Sequence, residues 1–219
     1  MKVMLLAAGE GRRLLPLTQN LPKPMLMVGG ETLIGRWIDR FVDAGYREFV
    51  INTWHCGDML MTALGDGSNR GIDIQYSPEP ELLETGGGIK LALPLLGEEF
   101  IVVSADTVCD FELSNLPETL GDGDAHLVLV DNPNHHPTGD FSLDEKGNLG
   151  FSTKCLTYAG IGLYSAALFN DTPSGPFKLR LLMDRAIERG RLTGEHHRGF
   201  WQDVGTIERY QAVSRHFEK

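Results

Sequence analysis

Apolar residues arrive in two rhythms along this chain. Val3-Met4-Leu5-Leu6-Ala7-Ala8 is a short unbroken run closed by Gly9, and Phe49-Val50-Ile51 and Phe100-Ile101-Val102-Val103 are two more. Runs of that length bounded by turn residues read as strands buried on both faces. Over 32–44 the apolar positions Leu33, Ile34, Trp37, Ile38 and Phe41 recur at helical spacing, with Thr32 as N-cap and Gly45 at the far end. Residues 56–64 predict a short helix closed by Gly65, 72–76 alternate as a strand, and 89–96 continue as a helix after Glu84-Thr85-Gly86-Gly87-Gly88. Strand and helix therefore alternate through residue 106, which predicts a mostly parallel sheet covered on both faces.

The second half has another texture. Residues 126–130 read as a strand, 131–139 as a polar loop with two prolines, and 140–151 as a hairpin turning at Glu145-Lys146-Gly147-Asn148. Residues 158–164 form a strand interrupted by Gly160 and Gly162, and 179–189 and 207–217 are amphipathic helices. Neither a low-complexity linker nor an internal repeat divides the chain. The expected architecture is α/β: a Rossmann-like, mixed, mostly parallel sheet with helices on both faces, in one domain over 1–219. Its half 1–110 faces a nucleotide, and its half 111–219 completes the pocket.

The candidate chemistry starts where the first strand ends. Gly9-Glu10-Gly11-Arg12-Arg13-Leu14 follows it, then Pro16-Leu17-Thr18 and Lys23-Pro24. Glycine lets backbone N–H groups come close to phosphate oxygens, and Arg13 and Lys23 can neutralise their charge. No Gly-Lys-Ser/Thr follows, so this is not a P-loop, and the third glycine of a dinucleotide fingerprint is missing. Pro22 and Pro24 stiffen the backbone that aims Lys23. Asp106 ends a strand and Asp203 precedes the last helix; together they would suit Mg²⁺, though taken singly each is more commonly just a turn acid. Three glycines at 86–88 are costly for a helix, so a close approach is expected there, by a base or ribose or by a neighbouring helix. His135-His136 and His196-His197 read as solvated loop residues, and no Ser-His-Asp or Cys-His order is persuasive.

Charge and cysteines narrow the classes. A formal net charge of -10 on 219 residues argues against a nucleic-acid binder and means that an anionic substrate is held by local cations or a metal. Cys56, Cys109 and Cys155 are odd in number and widely spaced, the pattern of packing thiols in a reducing cytosol. The apolar run at the N-terminus is too short for a signal peptide, and no stretch approaches the ~20 apolar residues that span a bilayer. A cytoplasmic protein with no nucleic-acid or membrane partner is expected; the sequence leaves oligomeric state open.

Leu6-Ala7-Ala8-Gly9-Glu10-Gly11-Arg12-Arg13-Leu14-Leu15-Pro16-Leu17-Thr18 with Leu21-Pro22-Lys23-Pro24-Met25 resembles the signature of the sugar-phosphate nucleotidyltransferases. Leu83-Glu84-Thr85-Gly86-Gly87-Gly88, Thr157-Tyr158-Ala159-Gly160-Ile161-Gly162, Gly175-Pro176-Phe177-Lys178-Leu179 and Trp201-Gln202-Asp203-Val204-Gly205-Thr206 are similar to one short branch, the N-acetylmuramate α-1-phosphate uridylyltransferases of cell-wall recycling. The resemblance implies the nucleotide-diphospho-sugar transferase fold and transfer of a uridylyl group from UTP to a sugar 1-phosphate with Mg²⁺. It implies that Ala7, Ala8, Gly9, Gly11, Arg13, Lys23, Glu79 and Gly86 bind the nucleotide, with Arg13 and Lys23 catalytic. It further implies Asp106 and Asp203 as metal ligands, and Gly139, Thr157, Gly160 and Lys178 toward the sugar phosphate. Two departures stand out: Arg12 where the family often has a small residue, and Ser104-Ala105 where it usually reads Asn-Gly. A mannose-1-phosphate guanylyltransferase or another hexose-1-phosphate enzyme is the alternative, and a non-catalytic nucleotide-sugar sensor the second.

Overall fold

A computed structural model describes residues 1–218. In chain order the first half runs β1 (Lys2–Leu6), β2 (Met27–Val28), β3 (Glu31–Thr32), α1 (Leu33–Asp43), β4 (Glu48–Thr53), α2 (Gly57–Leu64), β5 (Asp73–Pro78), α3 (Glu84–Ala92), β6 (Glu99–Ser104) and β7 (Thr107–Cys109). The second half runs β8 (Ala125–Val130), β9 (Phe141–Leu143), β10 (Leu149–Gly150), β11 (Cys155–Ser165), α4 (Arg180–Glu188), β12 (Leu192–His197), β13 (Trp201–Asp203) and α5 (Ile207–Phe217).

Among the described residues one nine-stranded sheet crosses the molecule. β5, β4, β1 and β6 are neighbours in that order and all parallel. The chain then reverses: β11 runs antiparallel to β6 and to β8, and β12 joins β8 in parallel. β11 is one eleven-residue strand, not a broken one; Gly160 takes a left-handed φ of 79° where the pairing register with β8 shifts. A bulge there bends the strand without ending it.

Side-chain alternation along β1 sorts the core into two layers. Val3 and Leu5 point to the face covered by Ile34, Trp37, Ile38 and Phe41 of α1. Met4 points to the opposite face, with Ile89 of α3 and Leu182, Met183 and Ala186 of α4. Trp37 is 1% exposed, a core residue whose Nε1 donates to the Thr107 carbonyl at 2.8 Å. The Arg40 guanidinium, also from α1, donates to the carbonyls of Cys109 and Phe111. Helix α1 thus clamps β7, which pairs antiparallel with β13 as a separate two-stranded ribbon. Among the described residues no helix is long and apolar enough to cross a membrane.

Candidate active site

Leu6, Asn52 and Ser104 stand side by side in register at the carboxyl ends of β1, β4 and β6. The strand order reverses at β1, and ligands of α/β sheets bind at that place. A cleft of about 410 Å³ opens there, lined by the loop after β1, Lys23 and Pro24, the segment around Glu79 and Glu84, Ser104, Asp106 and Gly205.

The loop's two glycines do different jobs. Gly11 has φ 66°, and its carbonyl accepts from the Leu14 N–H and from Thr18 Oγ1, both at 2.8 Å. A Cβ on Gly11 would lie 2.9 Å from Thr18 Cγ2. A Cβ on Gly9 would have no protein atom within 4 Å, so the room in front of Gly9 belongs to the cleft. Leu14 is fully buried in a small apolar cluster with Leu26, Val28, Leu33, Val108, Val204 and Val213. That cluster ties the loop both to α5 and to the β7–β13 ribbon.

The ribbon brings the two aspartates together. Asp203 pairs with Thr107, next to Asp106, and the Val204 N–H donates to the Asp106 carbonyl at 2.8 Å. Each carboxylate has a cationic neighbour. Lys23 Nζ, on a short turn beside the buried Pro24, pairs with Asp106 Oδ2. Arg209 Nη1 lies 2.8 Å from Asp203 Oδ2, and His135 Nε2 lies 3.2 Å from Asp203 Oδ1. His135 therefore pairs with Asp203 and is not free in solvent.

On the opposite wall a buried relay fixes the backbone. The Ala7 N–H donates to Asn52 Oδ1 at 2.7 Å, which leaves Asn52 Nδ2 to donate to Glu79 Oε1 at 2.7 Å. Glu79 Oε2 accepts the Leu83 N–H at 3.0 Å. Burial pushes the Glu79 carboxyl above the usual range, opposed by the hydrogen bonds from Leu83 and Asn52. The three glycines of α3 serve this packing. A Cβ on Gly88 would lie 2.5 Å from Glu79 Oε1, and one on Gly86 would lie 2.5 Å from Phe177 Cδ2. The Gly86 and Gly87 N–H groups both donate to the Phe177 carbonyl, at 3.0 and 3.2 Å. The close approach expected at these glycines is made by the protein's own Gly175–Phe177 loop and by Glu79, not by a neighbouring helix.

A model of the nucleotidyl transferase family matches residues 2–141. The chain is 43% identical to an N-acetylmuramate α-1-phosphate uridylyltransferase of Neisseria meningitidis, over 94% of both chains. The chain belongs to the nucleotidyl transferase family. A second relative of the same name, from Caulobacter vibrioides, is 33% identical over 92% of this chain and 90% of its own length. A mannose-1-phosphate guanyltransferase of Aspergillus oryzae is 30% identical over 94% of this chain but 61% of its own. The crystal structure of HddC from Yersinia pseudotuberculosis, bound to GMP-PN, shares the fold with a TM-score of 0.82 at 22% identity, over 99% of each chain.

In this nucleotidyl transferase, Ala7, Ala8, Gly9, Gly11, Arg13, Lys23, Glu79 and Asp106 all line the cleft. Gly86 is buried against Phe177 behind the lining, and Asp203 lies outside the lining, its Oδ2 beside Gly205, which is part of it. The four residues expected toward the sugar phosphate lie outside the lining. Thr157 Oγ1 donates to Asn132 Oδ1 at 2.9 Å, and Gly139, with φ 64°, packs on the same Asn132. Gly160 sits against Ser104 Oγ, and Lys178 is exposed beside Phe177. Asn52, Ser104 and Glu84, which line the cleft, were not among the expected site residues. Asn52 had a readable signal: a lone amide at the carboxyl end of an apolar strand. Glu84 stood within the quoted Leu83–Gly88 motif, but the left-handed φ of 59° at this residue emerges only with the fold.

The donor set fits a hard divalent ion. Asp106 and Asp203 offer oxygen only, on adjacent backbone, and Asp106 opens to the cleft. A mixed cluster of Cys109, Asp110 and His197 lies farther along the same ribbon and does not line the cleft. Burial pushes the Cys109 thiol up to about 11, so it is no nucleophile near neutral pH.

Proposed function

We propose that the chain transfers a uridylyl group from UTP to N-acetylmuramate α-1-phosphate, giving UDP-N-acetylmuramate and pyrophosphate. What carries this reading is full-length similarity to two relatives of that name, together with a cleft that pairs Lys23 with Asp106 at the mouth of the glycine loop. We further assign the reaction to peptidoglycan recycling, as the resemblance implied, and to the cytoplasm, as the cysteine pattern led us to expect. Nearly all lining residues belong to the half 1–110, which supports giving the nucleotide to that half and the sugar phosphate to 111–219.

The residues have distinct tasks in this scheme. Backbone N–H groups around Gly9 hold the triphosphate, and Arg13 and Lys23 offset the charge of the α-phosphate and departing pyrophosphate. Asp106 and Asp203 would hold Mg²⁺, which supplies positive charge to the phosphates being exchanged. The sugar phosphate oxygen is already ionised near neutral pH, so its attack on the α-phosphorus needs no general base. A new P–O bond forms as the bond to pyrophosphate breaks, and alignment and charge do the rest. Glu79 and Asn52 act by holding the Ala7 and Leu83 backbone that frames the nucleotide.

Pyrophosphate release with Mg²⁺, crossing four nucleoside triphosphates with a panel of sugar 1-phosphates, tests the proposal. A dominant response to UTP with N-acetylmuramate phosphate is expected. Strong release with GTP and mannose phosphate would instead favour the second reading, which the Aspergillus relative supports. Nucleotide binding without pyrophosphate release would favour a sensor.

A further inference from the structure

The ribbon that carries both aspartates has another end. Cys109 closes β7, Asp110 follows it, and His197 closes β12. One ligand atom from each of the three lies within 4.8 Å of the others. None of them has a part in the reaction proposed above.

Their positions are set by backbone rather than by chance side-chain contact. Cys109 is held opposite Trp201 in the β7–β13 ribbon, and the Asp110 N–H donates to the Phe200 carbonyl at 3.0 Å. His197 is held opposite Val130 by β12 pairing. The Phe111 ring meets the His197 ring edge-on at 5.6 Å, which limits its rotation. The turn at Gly199 passes directly over the imidazole: a Cβ there would lie 2.5 Å from His197 Cε1 and 2.8 Å from Nε2. Asp110 Oδ1 already sits 2.7 Å from His197 Nε2. Cys109 is buried, while the Asp110 side chain is 58% exposed, so the carboxylate end of the cluster faces solvent.

The donor chemistry differs in kind from that of the cleft. Asp106 and Asp203 offer oxygen alone; this cluster offers one sulfur, one imidazole nitrogen and one carboxylate oxygen. Mg²⁺ and Ca²⁺ avoid sulfur, whereas Zn²⁺ and Co²⁺ accept this mixture in four-coordinate sites with three protein ligands and one open position. We propose that Cys109, Asp110 and His197 form a second metal site, selective for Zn²⁺-class ions and separate from the Asp106–Asp203 pair. On binding, a metal–sulfur bond replaces the thiol S–H bond and that proton leaves to solvent, while the ion takes the place of the Nε2–H that His197 shares with Asp110 and the imidazole carries its one proton on Nδ1 instead; no electron is transferred. The ion cross-links the β7–β13 ribbon to the end of β12, so binding stabilises the fold by mass action.

Co²⁺ titration of the metal-stripped full chain tests this, because a thiolate bound to Co²⁺ gives a near-ultraviolet charge-transfer band that carboxylate sites lack. One Co²⁺ per chain with that band is expected, displaced by Zn²⁺ but not by Mg²⁺. The band should persist in Asp106→Asn, which alters the cleft, and in Cys56→Ser, which removes the thiol beside His55. It should vanish in Cys109→Ser and weaken at least tenfold in affinity in His197→Ala, a change that spares the core packing of Cys109. Absence of the band, or a band that follows Cys56 or Cys155 instead, overturns the proposal.

Discussion

Gly9 and Gly11 are two residues apart in one loop, yet the structure predicts opposite behaviour when each is replaced by alanine. Gly11 is left-handed, which for alanine costs about 1–2 kcal/mol, and its new methyl would lie 2.9 Å from Thr18 Cγ2. Overpacking of that kind adds about 1 kcal/mol or more. Gly11→Ala should therefore lose about 2 kcal/mol or more, a fall in Tm on the order of 5 °C for a chain of this size. Gly9 is not among the left-handed glycines, and its methyl would meet no protein atom within 4 Å. Gly9→Ala should keep the wild-type Tm or gain up to about 1 kcal/mol, because alanine has less unfolded-state freedom to lose. Its cost should fall on the ligand. Pushing phosphate off one backbone N–H forfeits a charge-assisted hydrogen bond of about 1.5–3 kcal/mol, roughly ten- to a hundredfold in UTP affinity. Thermal unfolding and UTP titration, run on both variants, give the answer. Wild-type UTP affinity in a folded Gly9→Ala protein would refute the assignment of that space to the phosphates. A Gly9→Ala protein as unstable as Gly11→Ala would refute the division of labour itself.

Lys23→Met should leave the fold intact and lower turnover at least about a hundredfold in the pyrophosphate assay, since it removes a cation from developing phosphate charge. Glu79→Gln should destabilise by about 1–3 kcal/mol in denaturant unfolding: Ala7 fixes the Asn52 amide, so one of the two N–H donors facing residue 79 must then meet an NH₂. The same variant should change the pH profile. With the folded pKa raised by burial, the Glu79 contribution to stability is full below the ordinary glutamate value and declines as pH rises toward the folded value. Unfolding curves across that window should show a decline in the wild type that is absent in Glu79→Gln. Gly86→Ala should cost about 1–3 kcal/mol in Tm-derived stability by forcing α3 away from Phe177, with a smaller loss in UTP affinity than Gly9→Ala.

The parallel half of the fold was legible because its strands are buried on both faces and its helices carry one apolar stripe. Helix α1 was expected over 32–44 and runs Leu33–Asp43, with Thr32 accepting the Gly35 N–H at 3.0 Å as its N-cap. What escaped were elements whose stability comes from partners far along the chain. β7 and β13 are three residues each, too short to show alternation, and they exist because they pair with each other and because α1 grips β7. β12, Leu192–His197, carries two histidines and a glutamate, so hydropathy alone reads it as polar loop; pairing with β8 makes it a strand. His196 and His197 are consequently well covered, with side chains 14% and 13% exposed, and each faces an aspartate.

The same distinction runs through the site. Residues that line the cleft where the chain is locally shaped for it, such as the glycine loop and Lys23 between its prolines, could be picked out directly. Asp106 and Asp203 could be suspected singly, but their adjacency depends on a ribbon that joins positions nearly a hundred residues apart. The glycines at 86–88 mislead in an instructive way. A glycine reports that something comes close, and sequence cannot say whether the visitor is ligand or protein. Here a built Cβ at 86 and 88 meets Phe177 and Glu79, whereas at Gly9 it meets nothing. Seven other glycines, Gly30 and Gly45 among them, are as open as Gly9, so open space alone does not mark a ligand; what sets Gly9 apart is that its open side faces the cleft, which the crowded glycines at 86 and 88 do not.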